Sequence, residues 1–358
     1  MTETKGSNFW ATVPGLITAI AGMITAVAIL ITTLAPLLAS DPQASDAPSG
    51  SPGSSAAVAP LESGTAPASP SGSAEGAGSP GVSASVEPTS LPILFYAVRV
   101  DPETSVDNAD LYAVDPATGT ERRLTTDPRP DSYPVWSPDG TRIAFDSRRG
   151  DGNRNLWVLE ADGSYTRLTD DARDDAYATW SPDGSQVAWA AGTAGAREIW
   201  VMDARAGGDA RRLTTGGDDY LPSWSSTGLI AFERRVSGGS EVWVVDPAGG
   251  GAAARITTAD GGGGDPAWSA DGRRLVFTRR SGSVDRVFVV AADGQSGLLE
   301  LTPLSTCDCD EPAWSPAGSQ IVYVGPGSGV IRPIMIIDAA GGTARRITTN
   351  GLAPSWGR

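Results

Sequence analysis

Short apolar runs separated by turn residues fill most of this chain, and their order repeats. In residues 132–169, SYPVWSPDGTRIAFDSRRGDGNRNLWVLEADGSYTRLT, the runs PVW, RIAF, LWVL and TRLT are divided by SPDG, SRRGDGN and ADG. Each run suits a short strand. Asp139-Gly140 suits a tight hairpin, because glycine takes a positive φ without steric cost. Four such strands make an antiparallel meander.

The unit recurs across the chain. WSPDG at Trp136 returns at Trp180, then as WSSTG at Trp224, WSADG at Trp268, WSPAG at Trp314 and WGR at Trp356, with spacings of 44, 44, 44, 46 and 42 residues. Each copy has a second-strand aromatic (Phe145, Trp189, Phe232, Phe277, Tyr323) and a bulky third-strand residue (Tyr112, Trp157, Trp200, Trp243, Phe288, Met335). Small neighbours such as Ala144, Ala188 and Ala231 let adjacent sheets approach. A sheet apolar on both faces cannot stand alone, and six stacked radially bury one another. The predicted fold is all-β, a six-bladed β-propeller of four-stranded antiparallel blades over residues 91–358.

Closure is also legible. The first run, ILFYAV at 93–98, resembles a second strand, whereas the last, APSWGR, resembles only a first. One blade is therefore expected to join the C-terminal strand to the three N-terminal ones, leaving no open end.

The combination of P-x-W-S-P-D-G, I-A-F, I-W-V-M-D and R-L-T resembles the TolB-like six-bladed propeller family over residues 91–358. The resemblance implies a binding platform, or a gating domain ahead of a serine hydrolase; no hydrolase segment follows Trp356 in this sequence. Ser226-Thr227 and Ala317 depart from the usual turn, and Ala178 replaces the proline present as Pro134, Pro222, Pro266, Pro312 and Pro354.

Composition changes the picture at the N-terminus. Gly6–Ser40 holds no charged residue, and Leu16–Leu38 is long and apolar enough to span a bilayer, which takes roughly 20 residues. The expected organisation is a short cytoplasmic segment (1–9), a transmembrane helical anchor (10–39), a disordered Ser/Pro/Gly/Ala-rich linker (40–90) and the propeller (91–358). A cleaved secretory signal is the competing reading, with APLLAS as its small-residue site. Lys5 lies before the span and the next basic residue is Arg99, which places the propeller outside the cell membrane.

The chemistry is constrained by what is missing. The chain has no histidine and a net charge of −15. Ser-His-Asp and Cys-His arrangements are excluded, and no cofactor, metal site or nucleic-acid partner is expected. The turn aspartates Asp139, Asp183 and Asp271 read as turn-formers. The arginines before the LT runs (Arg123, Arg167, Arg212, Arg255 and Arg346) read as charges that blunt the outer edge.

The segments before each inner strand stand apart: RPDSYP, RDDAYA, GDDYLP, GGGDP and CDCDEP. Radial geometry brings them to one rim, where Asp131, Asp174, Asp175, Asp218, Asp219, Asp265, Asp308 and Asp310 would form an acidic funnel with Tyr133, Tyr177 and Tyr220. Solvated loop acids and an electrostatic site for a cation or basic partner both fit this pattern. The function expected is a membrane-anchored, non-catalytic module that binds a protein, peptide or envelope ligand. The alternative is an envelope glycan hydrolase or lyase using rim carboxylates. Cys307 and Cys309 suit a disulfide in an oxidising compartment, with metal capture by two thiolates as the rival.

Overall fold

The computed structural model describes residues 91–100, 107–150, 152–204, 209–248, 252–257, 262–302 and 307–357. The expected N-terminal segment, anchor and linker at 1–90 lie outside them. Among the described residues no helix is long and apolar enough to cross a membrane.

Six four-stranded antiparallel sheets form the blades of a propeller. Each inner strand touches that of the next blade, and the sixth touches the first. Blade 1 pairs the C-terminal Leu352–Trp356 with Ile93–Val100, followed by Asp107–Val114 and Glu121–Arg123. Blades 2 to 6 follow in chain order, with inner strands Asp131–Trp136, Asp175–Trp180, Asp219–Trp224, Gly264–Trp268 and Asp310–Trp314. The shared blade predicted from the two chain ends is present: Ile93 pairs with Trp356 and Leu94 with Ser355.

The repeated WSPDG phrase is a turn held by its own side chains. Ser137 Oγ donates to the Asp139 carboxylate (2.5 Å) and accepts from the Arg142 amide (3.0 Å), while Gly140 turns the chain at φ 69°. Ser181 with Asp183 and Ser269 with Asp271 repeat the bond at 2.6 Å. In blade 4 the Thr227 hydroxyl takes the aspartate's place, 2.9 Å from Ser225 Oγ. In blade 6, where Ala317 supplies no acceptor, the turn keeps Gly318 at φ 68° and its amide bond to the Ser315 carbonyl (2.9 Å). The departures remove side-chain bonds and leave the backbone turn intact.

The RLT ending also has a physical cause. Thr125, Thr169, Thr214, Thr257, Thr302 and Thr348 each accept a third-strand amide on their hydroxyl, at 2.9–3.1 Å. The amide would otherwise be buried without a partner. The outer-strand arginines do more than blunt an edge, since Arg123 reaches Asp110 (2.6 Å) and Arg255 reaches Glu241 (2.8 Å) on the neighbouring strands.

The core lies between blades. Ala144, Leu156 and Val158 of blade 2 pack with Trp180 and Trp189 of blade 3 in one cluster. Another joins Ile93, Phe95 and Tyr112 of blade 1 to Val322, Val324 and Ile334 of blade 6. Apolar burial thus closes the ring as well as the strand ladder does.

Candidate functional site

Each of the six inner strands is interrupted at one column, three residues before its tryptophan. Tyr133, Tyr177, Leu221, Asp265, Glu311 and Ala353 all have φ between 46° and 63°, a left-handed conformation that non-glycine residues rarely adopt. The strand register slips at the same place in every blade. This is a sixfold β-bulge, and bulges re-aim side chains at the rims of closed sheets.

These residues stand between two cavities. All six line an apolar cavity of about 230 Å³ on the WSPDG side, walled by the repeat tryptophans and prolines. All but Ala353 also line a larger, more polar cavity of about 640 Å³ at the other end, among the second-to-third-strand hairpins. That volume falls within the range of ligand pockets, about 300–1,000 Å³. Glycines open the space: a Cβ at Gly264 would sit 2.7 Å from Glu233 Oε2, and one at Gly262 2.4 Å from the Ser240 carbonyl oxygen.

The ring is divided chemically. Tyr96, Tyr133, Tyr177 and Tyr220 form an aromatic arc, with successive centroids 5.3, 4.5 and 6.1 Å apart. Glu233, Asp265 and Glu311 form an acidic arc in which each carboxylate accepts the bulge amide of the next blade. The bonds run from the Asp265 amide to Glu233 (3.2 Å), from the Glu311 amide to Asp265 (3.3 Å) and from the Ala353 amide to Glu311 (2.7 Å). Ser240 Oγ also donates to Glu233 (2.6 Å), and Thr278 Oγ1 to Asp265 (2.9 Å). Among the described residues, none of the three forms an ion pair with an arginine. Burial, then the Asp310 charge, pushes Glu311 up to about 7. Burial, then Glu233 and Glu311, holds Asp265 well above the usual carboxylate range.

The structure redistributes the expected acidic funnel. Only Asp265 and Asp310 of its eight acids line the larger cavity, together with all three tyrosines. Asp131, Asp175 and Asp219 are fully buried. Asp131 pairs with Arg149 (2.6 Å), Asp175 accepts from the Trp189 indole (2.9 Å), and Asp219 takes two bonds from Arg234 (2.6 and 2.8 Å). Asp174, Asp218 and Asp308 accept hairpin backbone amides, those of Arg154, Arg197 and Asp285. Each of these acids is bonded within the fold, holding strands or hairpins together. Asp310 is itself held by Arg332 (2.6 Å), which also donates to the Asp308 carbonyl. Cys307 and Cys309 are joined by a disulfide, with Cα atoms 5.3 Å apart, in the loop that leads to Asp310.

Glu233 and Glu311 escaped the sequence reading, which weighed loop acids by number. Two signals could have found them. Glu311 shares a column with Tyr133 and Tyr177, and Glu233 is a buried carboxylate directly after the apolar run IAF, where a charge is unusual.

The raised carboxylates set the sign of the pH response. Burial lifts Asp146 and Asp175 to about 6, against about 3.9 in an unfolded chain. A carboxyl raised on folding binds more protons in the native state, so its stabilisation is complete below about pH 4 and lost as pH rises to about 7. The loss is on the order of 3 kcal/mol for each of these two aspartates. Calorimetry between pH 4.5 and 8 is therefore expected to give a falling Tm, flattened above pH 6 in Glu311→Gln. A Tm that rose across this window would contradict the assignment.

Residues 175–358 match the family described as the TolB beta propeller domain. The chain belongs to this family. Its fold is similar to TolB from Acinetobacter baumannii, at 22% identity and a TM-score of 0.63 over 74% of this chain and 66% of that one. A putative TolB from Agrobacterium tumefaciens matches at 20% identity and a TM-score of 0.59, over 74% of this chain and 92% of that one. A puromycin-hydrolyzing peptidase from Mycobacterium tuberculosis matches at 18% and 0.53, over 71% of this chain and 45% of the peptidase. No curated protein matches in sequence. At these identities the likenesses establish the propeller fold.

Proposed function

We propose that this TolB-like propeller is a non-catalytic docking module that receives a protein or peptide partner at the larger cavity. The observation that carries the reading is the bulge ring, whose six strained backbone positions include Tyr133, Tyr177, Asp265 and Glu311, all four lining the larger cavity. Strain of this kind costs about 1–3 kcal/mol per residue and persists where a site is pre-organised. Exposed apolar tips, Val236 at 40% and Ile331 at 63%, flank the rim on hairpins of blades 4 and 6 and would widen a protein contact.

The reading includes an anchor at 10–39 and a propeller outside the membrane, a placement with which the Cys307–Cys309 disulfide agrees. Affinity capture with the full chain after cross-linking in intact cells should return a discrete partner, lost in a Glu311→Arg/Asp265→Arg double variant. Recovery of the same proteins by wild type and variant would refute docking at this cavity. External protease that digests the propeller only after lysis would refute the placement.

One observation favours a second reading, a glycan hydrolase or lyase. Glu311, raised to about 7, would be protonated often enough to act as a general acid. Turnover of envelope glycans abolished by Glu311→Gln would establish it over the docking module.

A further inference from the structure

We infer that the ring is a receptor for an organic ammonium group, carried by a lysine side chain or a peptide N-terminus of the docked partner. This rests on the docking reading of the same cavity and specifies what enters it. Two independent features converge on a cation. Glu233, Asp265 and Glu311 spend their described bonds on backbone amides and hydroxyls, and among the described residues none of them forms an ion pair with an arginine, Arg332 acting on Glu311 only through space. Four comparable acids elsewhere are paired with arginine, Asp131 with Arg149, Asp219 with Arg234, Asp310 with Arg332 and Asp146 with Arg154, while Asp175 takes the Trp189 indole instead. A buried carboxylate left without a cation is costly, and its cost is relieved when a cation arrives.

The second feature is aromatic. Tyr133 and Tyr177 line the same cavity from the other side, whereas the Tyr220 ring already lies under Arg197 and Arg235 at 4.9 and 4.4 Å, and ring faces attract an ammonium within about 6 Å. A wall of tyrosines facing carboxylates suits a cation with an apolar stem better than a hydrated metal ion, which prefers a cage of oxygen ligands. Among the described residues no three acids are arranged to hold a metal. The mouth adds a filter, since the exposed Arg235 and Arg280 on its lip oppose free cations. An ammonium on a four-carbon stem can pass them while its backbone stays outside.

The test is titration calorimetry of the full chain with defined probes at pH 8, above the value of about 7 to which burial raises Glu311. Nα-acetyl-lysine amide presents the side-chain ammonium, glycyl-glycine amide the terminal one, and Nα-acetyl-norleucine amide is the neutral isostere. At least one ammonium probe should bind tenfold or more tightly than the isostere, and the stronger one identifies the source. Glu311→Gln should weaken it about tenfold, and Tyr177→Leu should weaken it while far-ultraviolet dichroism stays unchanged. Equal binding of the ammonium and neutral probes, an unaffected Glu311→Gln, or displacement of the ammonium by stoichiometric calcium chloride would each overturn the inference. Partner capture that persists in excess of the bound probe overturns it too while leaving docking intact. Probe binding with no captured partner supports it and removes the docking reading instead.

Discussion

Deleting residues 352–358 is expected to abolish cooperative unfolding altogether. The lost segment is the inner strand of blade 1, and with it go the pairings of Ile93 with Trp356 and Leu94 with Ser355. Ile93, Leu94 and Phe95 are fully buried, and Leu352 and Trp356 pack on the cluster that joins blade 1 to blade 6. Exposing three such side chains costs about 1.5–3 kcal/mol each, before the lost ladder and the opened ring edge are counted. A total of this size rivals the whole stability of a typical domain, about 5–15 kcal/mol. The truncated chain should show no calorimetric transition, or one lowered by more than about 15 °C, and should aggregate through the edge of Ile93–Val100. A transition at the wild-type temperature would mean that the ring does not depend on this strand.

The blades were legible because their causes are local and periodic. Trp136, Trp180, Trp224, Trp268 and Trp314 mark the same turn each time, and in the first of them Ser137, Asp139 and Gly140 supply its bonds within five residues. Closure was legible from the mismatch between the first and last runs. The site was less so. Asp131, Asp175 and Asp219 look like rim acids in sequence, yet each lies five residues before its tryptophan and is turned into the sheet. Two residues further along, the bulge makes the column of Tyr133, Asp265 and Glu311 face the cavity instead. A bulge shifts which side chains share a face, and residue type alone does not announce this one, because its six positions hold tyrosine, leucine, aspartate, glutamate and alanine. The partners that neutralise the buried acids, such as Arg149 for Asp131 at 18 residues' distance, depend on strand pairing and are equally invisible to composition.

That distinction between clamp and ligand makes Asp219 the most informative single substitution. Its side chain is fully buried, takes Nε and Nη2 of Arg234 at 2.6 and 2.8 Å and accepts the Thr214 hydroxyl at 2.6 Å. Thr214 in turn accepts the Ile199 amide, so the carboxylate ties the inner, second and third strands across two blades. Asp219→Ala strands a guanidinium whose side chain is only 17% exposed. Breaking a buried pair by removing one partner costs about 3–5 kcal/mol, a fall of roughly 10 °C in Tm for a domain of this size. Asp174→Ala is the control, since its carboxylate is 34% exposed and meets Arg148 only at 3.6 Å, an ion pair worth about 1 kcal/mol or less. If Asp219 were a ligand instead of a clamp, the order would reverse. Asp219→Ala would then hold or raise Tm, because removing an uncompensated charge relieves the fold, and it would lower partner capture. A large loss of Tm in Asp219→Ala beside a small one in Asp174→Ala fixes the buried acids as architecture and leaves Glu233, Asp265 and Glu311 as the carboxylates available for recognition.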